Sequence, residues 1–321
     1  MMRRQSFYSA LMLLFLWGCG SGEIVENIGT FHAESDLFWQ ILSKDAYVEN
    51  IGIDFEFTEG PLWHPDGYLL FSDIPANKIY KWAGLKHTIF REPSNKSNGL
   101  LTESDGTVLA CEHGSRSLTS FSPEGELTVL ADKYQGKLFN SPNDFCKASD
   151  GTIYFTDPPW GLPGLNDDPS KEIPFNGVFK LKDGLVTLVD GTLSWPNGIA
   201  LSPDERYLYV ANAENEEANG ESRKKIFWVR YELDGAGNPV SRIDFFVAPD
   251  PNLPGGPDGM KVDKNGNLFL TGPGGILVVD PNGTHLGTIG IPIPASNLAF
   301  GPREKELYVT ARSNVVRITL R

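Results

Sequence analysis

The 321-residue chain is 40% hydrophobic and includes 19 Phe, 7 Trp and 10 Tyr, enough apolar surface for a packed core and too much for a disordered chain. Its formal charge of −13, with 28 basic residues gathered into no long cluster, repels phosphate backbones and argues against nucleic acid as a partner. A small neutral or anionic substrate remains compatible with that charge if a bound cation sets the local field.

At the N-terminus, Arg3 and Arg4 precede an apolar run from Ala10 to Trp17, far shorter than the roughly 20 residues of a membrane-spanning helix. This is the pattern of a secretory signal. Residues 1–22 are therefore read as a signal peptide and 23–321 as one domain, and export is expected. Leu16-Trp17-Gly18-Cys19 resembles a bacterial lipobox, in which the Cys becomes the lipidated first residue, although Trp17 is bulkier than the small residue usual there. A periplasmic or outer-membrane lipoprotein anchored through Cys19 and a soluble exported protein both follow from this segment. With Cys19 set aside, Cys111 and Cys146 stand in strand-like contexts and are expected as buried thiols rather than a disulfide.

From Glu59 onward the chain repeats one hairpin. Glu59 opens "EGPLWHPDGYLLFSDI", Asn98 "NGLLTESDGTVLACEH", Asn143 "NDFCKASDGTIYFTDP", Asn197 "NGIALSPDERYLYVAN", Asp258 "DGMKVDKNGNLFLTGP" and Asn297 "NLAFGPREKELYVTAR". In each, the turn residue lies seven positions after the polar anchor, at Asp66, Asp105, Asp150, Asp204, Asn265 and Glu304. The anchors are 39, 45, 54, 61 and 39 residues apart, room for about four short strands per unit. An all-β, six-bladed β-propeller with a metal site in its central channel is expected. The segment from Glu23 to Phe57 should supply an outer strand or pack on the last blade, because an open ring would leave sheet edges unpaired.

The first strand of a propeller blade lines the central channel, so the six anchors should converge at one end of it. A turn centred at the seventh position returns the second strand to that end near the fourteenth, at Asp73, Glu112 and Asp157. The expected channel mouth is rich in oxygen and has no basic residue among the anchors, which suits a hard cation such as calcium with its six to eight oxygen ligands. Taken singly, an Asn or Asp before a strand is explained by an Asx-turn. Six in register, with Glu59 and Asp258 breaking the Asn pattern toward negative charge, favour a divalent ion. Between Asn212 and Lys225, "NAENEEANGESRKK" reads as a solvated surface loop of blade four, with a lid over the channel as the alternative.

These segments resemble the gluconolactonase, regucalcin and luciferin-regenerating-enzyme family, in particular its bacterial gluconolactonase-like branch. The resemblance runs from Tyr47 to Arg321 and rests on "FTEGPLW", "ACEHGSRSLT", "KLFNSPNDF", "GTIYFTDPPWG", "WPNGIALSPDERYLYV", "GGPDGMKVDKNGNLFLT" and "SNLAFGP" in this order. It implies Ca²⁺, or another divalent cation, on Glu59, Asn143, Asn197 and Asp258, with Asn143 also placed to contact substrate. It further implies hydrolysis of a sugar lactone, a small-molecule substrate, with Asp258 as the catalytic carboxylate acting on water or attacking directly. Substrate-binding residues are expected at Asn98, Asn143, His113, Arg116 and Trp160; Arg116 would hold a hydroxyl or carboxylate and Trp160 would cover a sugar ring. A G-x-S-x-G motif and zinc-spaced Cys or His are missing from the sequence, leaving no residues for serine-hydrolase or zinc chemistry. Hydrolysis of another ester or phosphoester, and a non-enzymatic binding propeller, are the competing readings.

Overall fold

The computed structural model describes residues 26–218 and 221–320, so the signal-like segment and Cys19 lie outside the described residues. Among the described residues, six large antiparallel sheets follow one another along the chain, five of four strands and one of five, with a two-stranded ribbon between blades two and three. The expected hairpins are present in the expected register. Thr102 pairs with Val108, Lys147 with Ile153, Leu201 with Leu208, Val262 with Leu268 and Phe300 with Leu307 across their turns. Asp105 and Asp150 each accept the backbone N–H two residues on, as an Asx-turn requires.

Closure is made by the N-terminal segment. Val48–Gly52 is the outermost strand of blade six, paired with Asn314–Thr319. Thr30–Ala33 adds a fifth strand to blade five, beside His285–Gly290. Both outer edges are thereby covered by chain that precedes blade one.

The core is divided among the blade interfaces. Leu62, Leu70, Leu100 and Val108 fill the space between blades one and two, and Phe139, Phe145, Phe155 and Phe179 that between two and three. Ile199, Leu208, Tyr154 and Val178 join blades three and four, while Trp228, Phe246, Met260 and Leu270 join four and five. Phe269, Ile276, Leu298 and Val309 unite five and six beneath the short helix Phe38–Ile41. Leu69, Phe71, Tyr308 and Val315 close the ring between six and one. Successive residues of a strand point to opposite faces, and the two faces meet different neighbouring blades, so apolar residues lie on both sides of the sheet and the inner strands are buried along their length. Cys111 and Cys146 are free thiols, as expected; Cys111 is buried, whereas Cys146 is only partly so.

The polar segment of residues 212–225 is not a loop. Tyr207–Ala218 and Glu221–Leu233 run on past the blade as a two-stranded ribbon, paired from Tyr207 with Glu232 to Ala218 with Glu221. An almost wholly polar sequence over this stretch hides the apolar alternation that normally marks strands.

Candidate active site

The anchors sit where the innermost strands begin, and their backbones are held by the blades on either side. Asn143, Asn197 and Asp258 each donate their N–H to the second strand of their own blade, at Thr156, Ala211 and Thr271. The carbonyls of Asn98, Asn143 and Asp258 closely approach the innermost strand of the preceding blade. Gly99 donates to the Asn143 carbonyl at 2.9 Å, and a Cβ on Gly198 would come within 2.1 Å of the Asp258 carbonyl. Only glycine allows this approach, which is why the anchor is followed by Gly in four of the six blades. Ser72 and Thr156 brace the ring by donating hydroxyls to the Asn98 and Asn197 carbonyls of the next blade.

Glu59, Asn98, Asn143, Asn197 and Asp258 all line one cavity of about 600 Å³, together with His113 and Trp160. The sixth anchor, Asn297, is not among the lining residues. Its amide donates to Glu59 Oε2 at 3.2 Å and to Asp144 Oδ2 at 3.3 Å, linking two carboxylates across the channel. Asp144, which the sequence reading did not single out, occupies the position taken by Gly after most other anchors, and it is 3% exposed. The contrast with Gly60, Gly99, Gly198 and Gly259 was the available signal.

Three buried carboxylates therefore share the channel. Burial, and then the charge of Asp144, push Glu59 up to about 7, while the Gly60 N–H and the Asn297 amide oppose the shift. Burial followed by the charges of Glu59 and Asp144 raises Asp258 well above the usual carboxylate range, against hydrogen bonds from Asn197 and Gly259. Asn197 donates to the Pro257 carbonyl, and its buried Oδ1 has no hydrogen-bond partner among the described residues. Asn98 Oδ1 is likewise buried and unpaired. Carboxylates that repel one another beside amide oxygens lacking donors form a donor set suited to a hard cation. No group of three or more His, Cys, Asp or Glu arranged to hold a metal occurs among the described residues, so the amides would have to complete any such set.

His113 is buried, and its Nε2 accepts from Asn98 Nδ2 at 3.4 Å. Burial first, and then Lys96, lower its pKa to about 4, so the ring is neutral at physiological pH. Trp160 stacks on Trp195 at 4.5 Å between ring centroids. Trp195 was also missed; it stands two residues before Asn197, the offset at which Phe57 precedes Glu59 and also lines the cavity. Glu214 and Lys224 of the ribbon border the cavity as well.

Two expectations about the rim need correction. Asp73, Glu112 and Asp157 do not face the cavity but hold the loop that leads into their own blade. Asp73 accepts the N–H groups of Glu56 and Phe57, and Asp157 those of Asn140 and Ser141. Glu112 accepts from Asn95 and pairs with Arg91 at 2.9 Å. A buried loop backbone needs acceptors, and a carboxylate at this offset supplies two. Arg116 is also outside the cavity lining; it donates to the carbonyls of Phe139 and Ser170. Arg116→Ala is accordingly expected to lower stability by about 1–3 kcal/mol, the range for hydrogen bonds from a charged group, and to leave KM nearly unchanged. Denaturant unfolding and steady-state kinetics on the variant check both.

The match to known proteins covers nearly the whole chain. Residues 57–313 match the family described as SMP-30/Gluconolactonase/LRE-like region. A gluconolactonase from Zymomonas mobilis is 40% identical, over 93% of this chain and 87% of its own length. A pentonolactonase from Haloferax volcanii is 27% identical, over 78% of this chain and 80% of its own. Among solved structures, a gluconolactonase from Xanthomonas campestris superposes with a TM-score of 0.79 at 29% identity, covering 91% of this chain and 95% of that one. The shared blades, their order and the extent of these matches establish that the chain belongs to the SMP-30/gluconolactonase/LRE-like family.

Proposed function

We infer that this enzyme hydrolyses sugar lactones at the floor of the cavity, with a divalent cation, calcium foremost, held by Glu59, Asn143, Asn197 and Asp258. The observation that carries the reading is the convergence of those four residues in one cavity, with Asn197 Oδ1 lacking a donor among the described residues. The names of the Zymomonas and Haloferax relatives support the substrate class. A cation bound there would polarise the lactone carbonyl and stabilise the oxyanion that forms on attack.

The chain's own groups do the rest. Asp258 holds the attacking water and takes its proton as the water oxygen bonds to the carbonyl carbon. The ring C–O bond then breaks, the proton passes to the departing ring oxygen, and the product is a hydroxy acid that ionises. Neutral His113 and the amide of Asn98 are suited to hold a substrate hydroxyl. Titrating released acid from an aldonolactone tests this. Chelator should abolish the enzymatic rate and added calcium should restore it, with circular dichroism showing that the blades persist; preference for an aryl ester or phosphoester would move the substrate class elsewhere.

For location, the basic start, the short apolar core and Cys19 support export with a lipid anchor. Feeding cells a labelled fatty acid should mark the wild-type chain and leave Cys19→Ala unmarked. An unlabelled mature chain beginning at another residue would replace the anchor with soluble export.

A further inference from the structure

We propose that the lactone this enzyme prefers carries a second sugar ring, seated on the indole pair of Trp160 and Trp195; the proposal rests on the lactonase reading above and names its substrate more narrowly. Both indoles line the cavity, they are inclined by only 24° to one another, and Trp160 stays 43% exposed. A large aromatic surface kept open beside a cavity that also presents carboxylates and amides marks a binding surface.

This pair is held in place before any ligand arrives. Ser141 Oγ accepts the N–H of Gly161 at 2.8 Å and donates to the Pro158 carbonyl at 2.6 Å, tying down both ends of the Pro158–Gly161 turn. Ser141 is itself fixed by Asp157 through its backbone N–H. A Cβ on Gly161 would lie 2.7 Å from the Cβ atoms of His113 and Ser141, so the turn carrying Trp160 packs directly against the cavity wall. On the other side, the Trp195 backbone N–H donates to Asn212 Oδ1 at 2.8 Å, fixing the main chain that carries the second indole. Fixing an aromatic face in advance reduces the ordering cost of binding.

Position and size point to the ligand. Trp195 is two residues from Asn197, so the platform begins where the ring of anchors ends. A cavity of about 600 Å³ falls in the range that takes ligands well beyond a single sugar ring. Indole faces suit the C–H face of a pyranose, while Glu214 and Lys224 on the ribbon offer an acceptor and donors for its hydroxyls. The ligand is thus an aldobionolactone, with the lactone ring over the anchors and the glycosidic pyranose on the tryptophans.

The test compares cellobiono-1,5-lactone with glucono-1,5-lactone on calcium-loaded wild type, Trp160→Ala and Trp160→Phe, with circular dichroism on each. Wild type should favour the disaccharide lactone by about tenfold in kcat/KM, a typical worth for one aromatic contact. Trp160→Ala should lose that advantage, chiefly through KM, and Trp160→Phe should recover most of it. Calorimetric titration with cellobionate and gluconate gives a readout without turnover, in which the same tenfold gap should open in wild type and close in Trp160→Ala. Hydrolysis of gluconolactone with no preference for the disaccharide overturns this proposal and leaves the lactonase reading standing. Equal losses on both lactones in Trp160→Ala overturn it as well, and if a folded, calcium-loaded wild type hydrolyses neither lactone, both readings fall.

Discussion

Asp258→Asn is expected to lower kcat on a sugar lactone by at least about a hundredfold, in the range seen when a general base is removed, while the protein stays folded and still binds calcium. The amide keeps the side chain's shape and one ligand oxygen but loses the charge and the basic site. Burial and the neighbouring charges of Glu59 and Asp144 raise the pKa of Asp258, and the asparagine relieves that repulsion, so folding should not suffer. Calcium affinity should fall moderately, because one of the two anchor carboxylates is gone. Asn197→Asp makes the opposite change: affinity should hold or rise as a charge is added, yet turnover should fall because the added carboxylate neutralises part of the cation's field. Calorimetry with calcium and steady-state kinetics at saturating metal separate the two quantities. If calcium-saturated Asp258→Asn matched the wild-type rate, Asp258 would be only a ligand and the proton transfer would belong to another group.

Without a divalent cation, the protein should lose stability as pH rises from about 4.5 to above 7. Glu59 has a folded-state pKa of about 7 against an ordinary value of 4.5. The folded protein therefore binds its proton more tightly than the unfolded chain does. The stabilisation is fully present below pH 4.5 and is lost as pH rises through 7, worth about 3 kcal/mol at 1.36 kcal/mol per pKa unit. Asp258 is shifted in the same direction and adds to the slope. In chelator, the melting temperature should therefore fall by roughly 5 °C or more between pH 5 and pH 8. Calcium should remove most of that fall by binding only the ionised folded site. Glu59→Gln isolates the cause from the general self-repulsion of a chain carrying −13. This variant should be more stable than wild type at pH 8 in chelator, should gain little from calcium, and should be catalytically crippled. A wild-type pH slope in Glu59→Gln would show that the channel carboxylates are not its source.

Local pattern made much of this protein legible in its sequence. A hairpin is written in consecutive residues, through short apolar runs on either side of an Asp-Gly or similar turn, so the six hairpins, their shared register and the anchors at Glu59, Asn98, Asn143, Asn197 and Asp258 could be read from the sequence. The need to cover sheet edges likewise pointed the segment before Phe57 toward ring closure. Tertiary structure decided which polar side chains face the cavity. Asp73, Glu112, Asp157 and Arg116 match rim residues in offset, but each is taken up by loop or side-chain groups 16 or more residues away or on a neighbouring loop. Asp144 and Trp195 reach the site because a neighbouring blade leaves room for the first and Trp160 stacks on the second. Sequence fixes which face of a strand a residue occupies, because the pleat alternates with period two. The partner that satisfies a buried polar group comes from chain distant in sequence, so only the closed ring determines which oxygens are left free for a ligand.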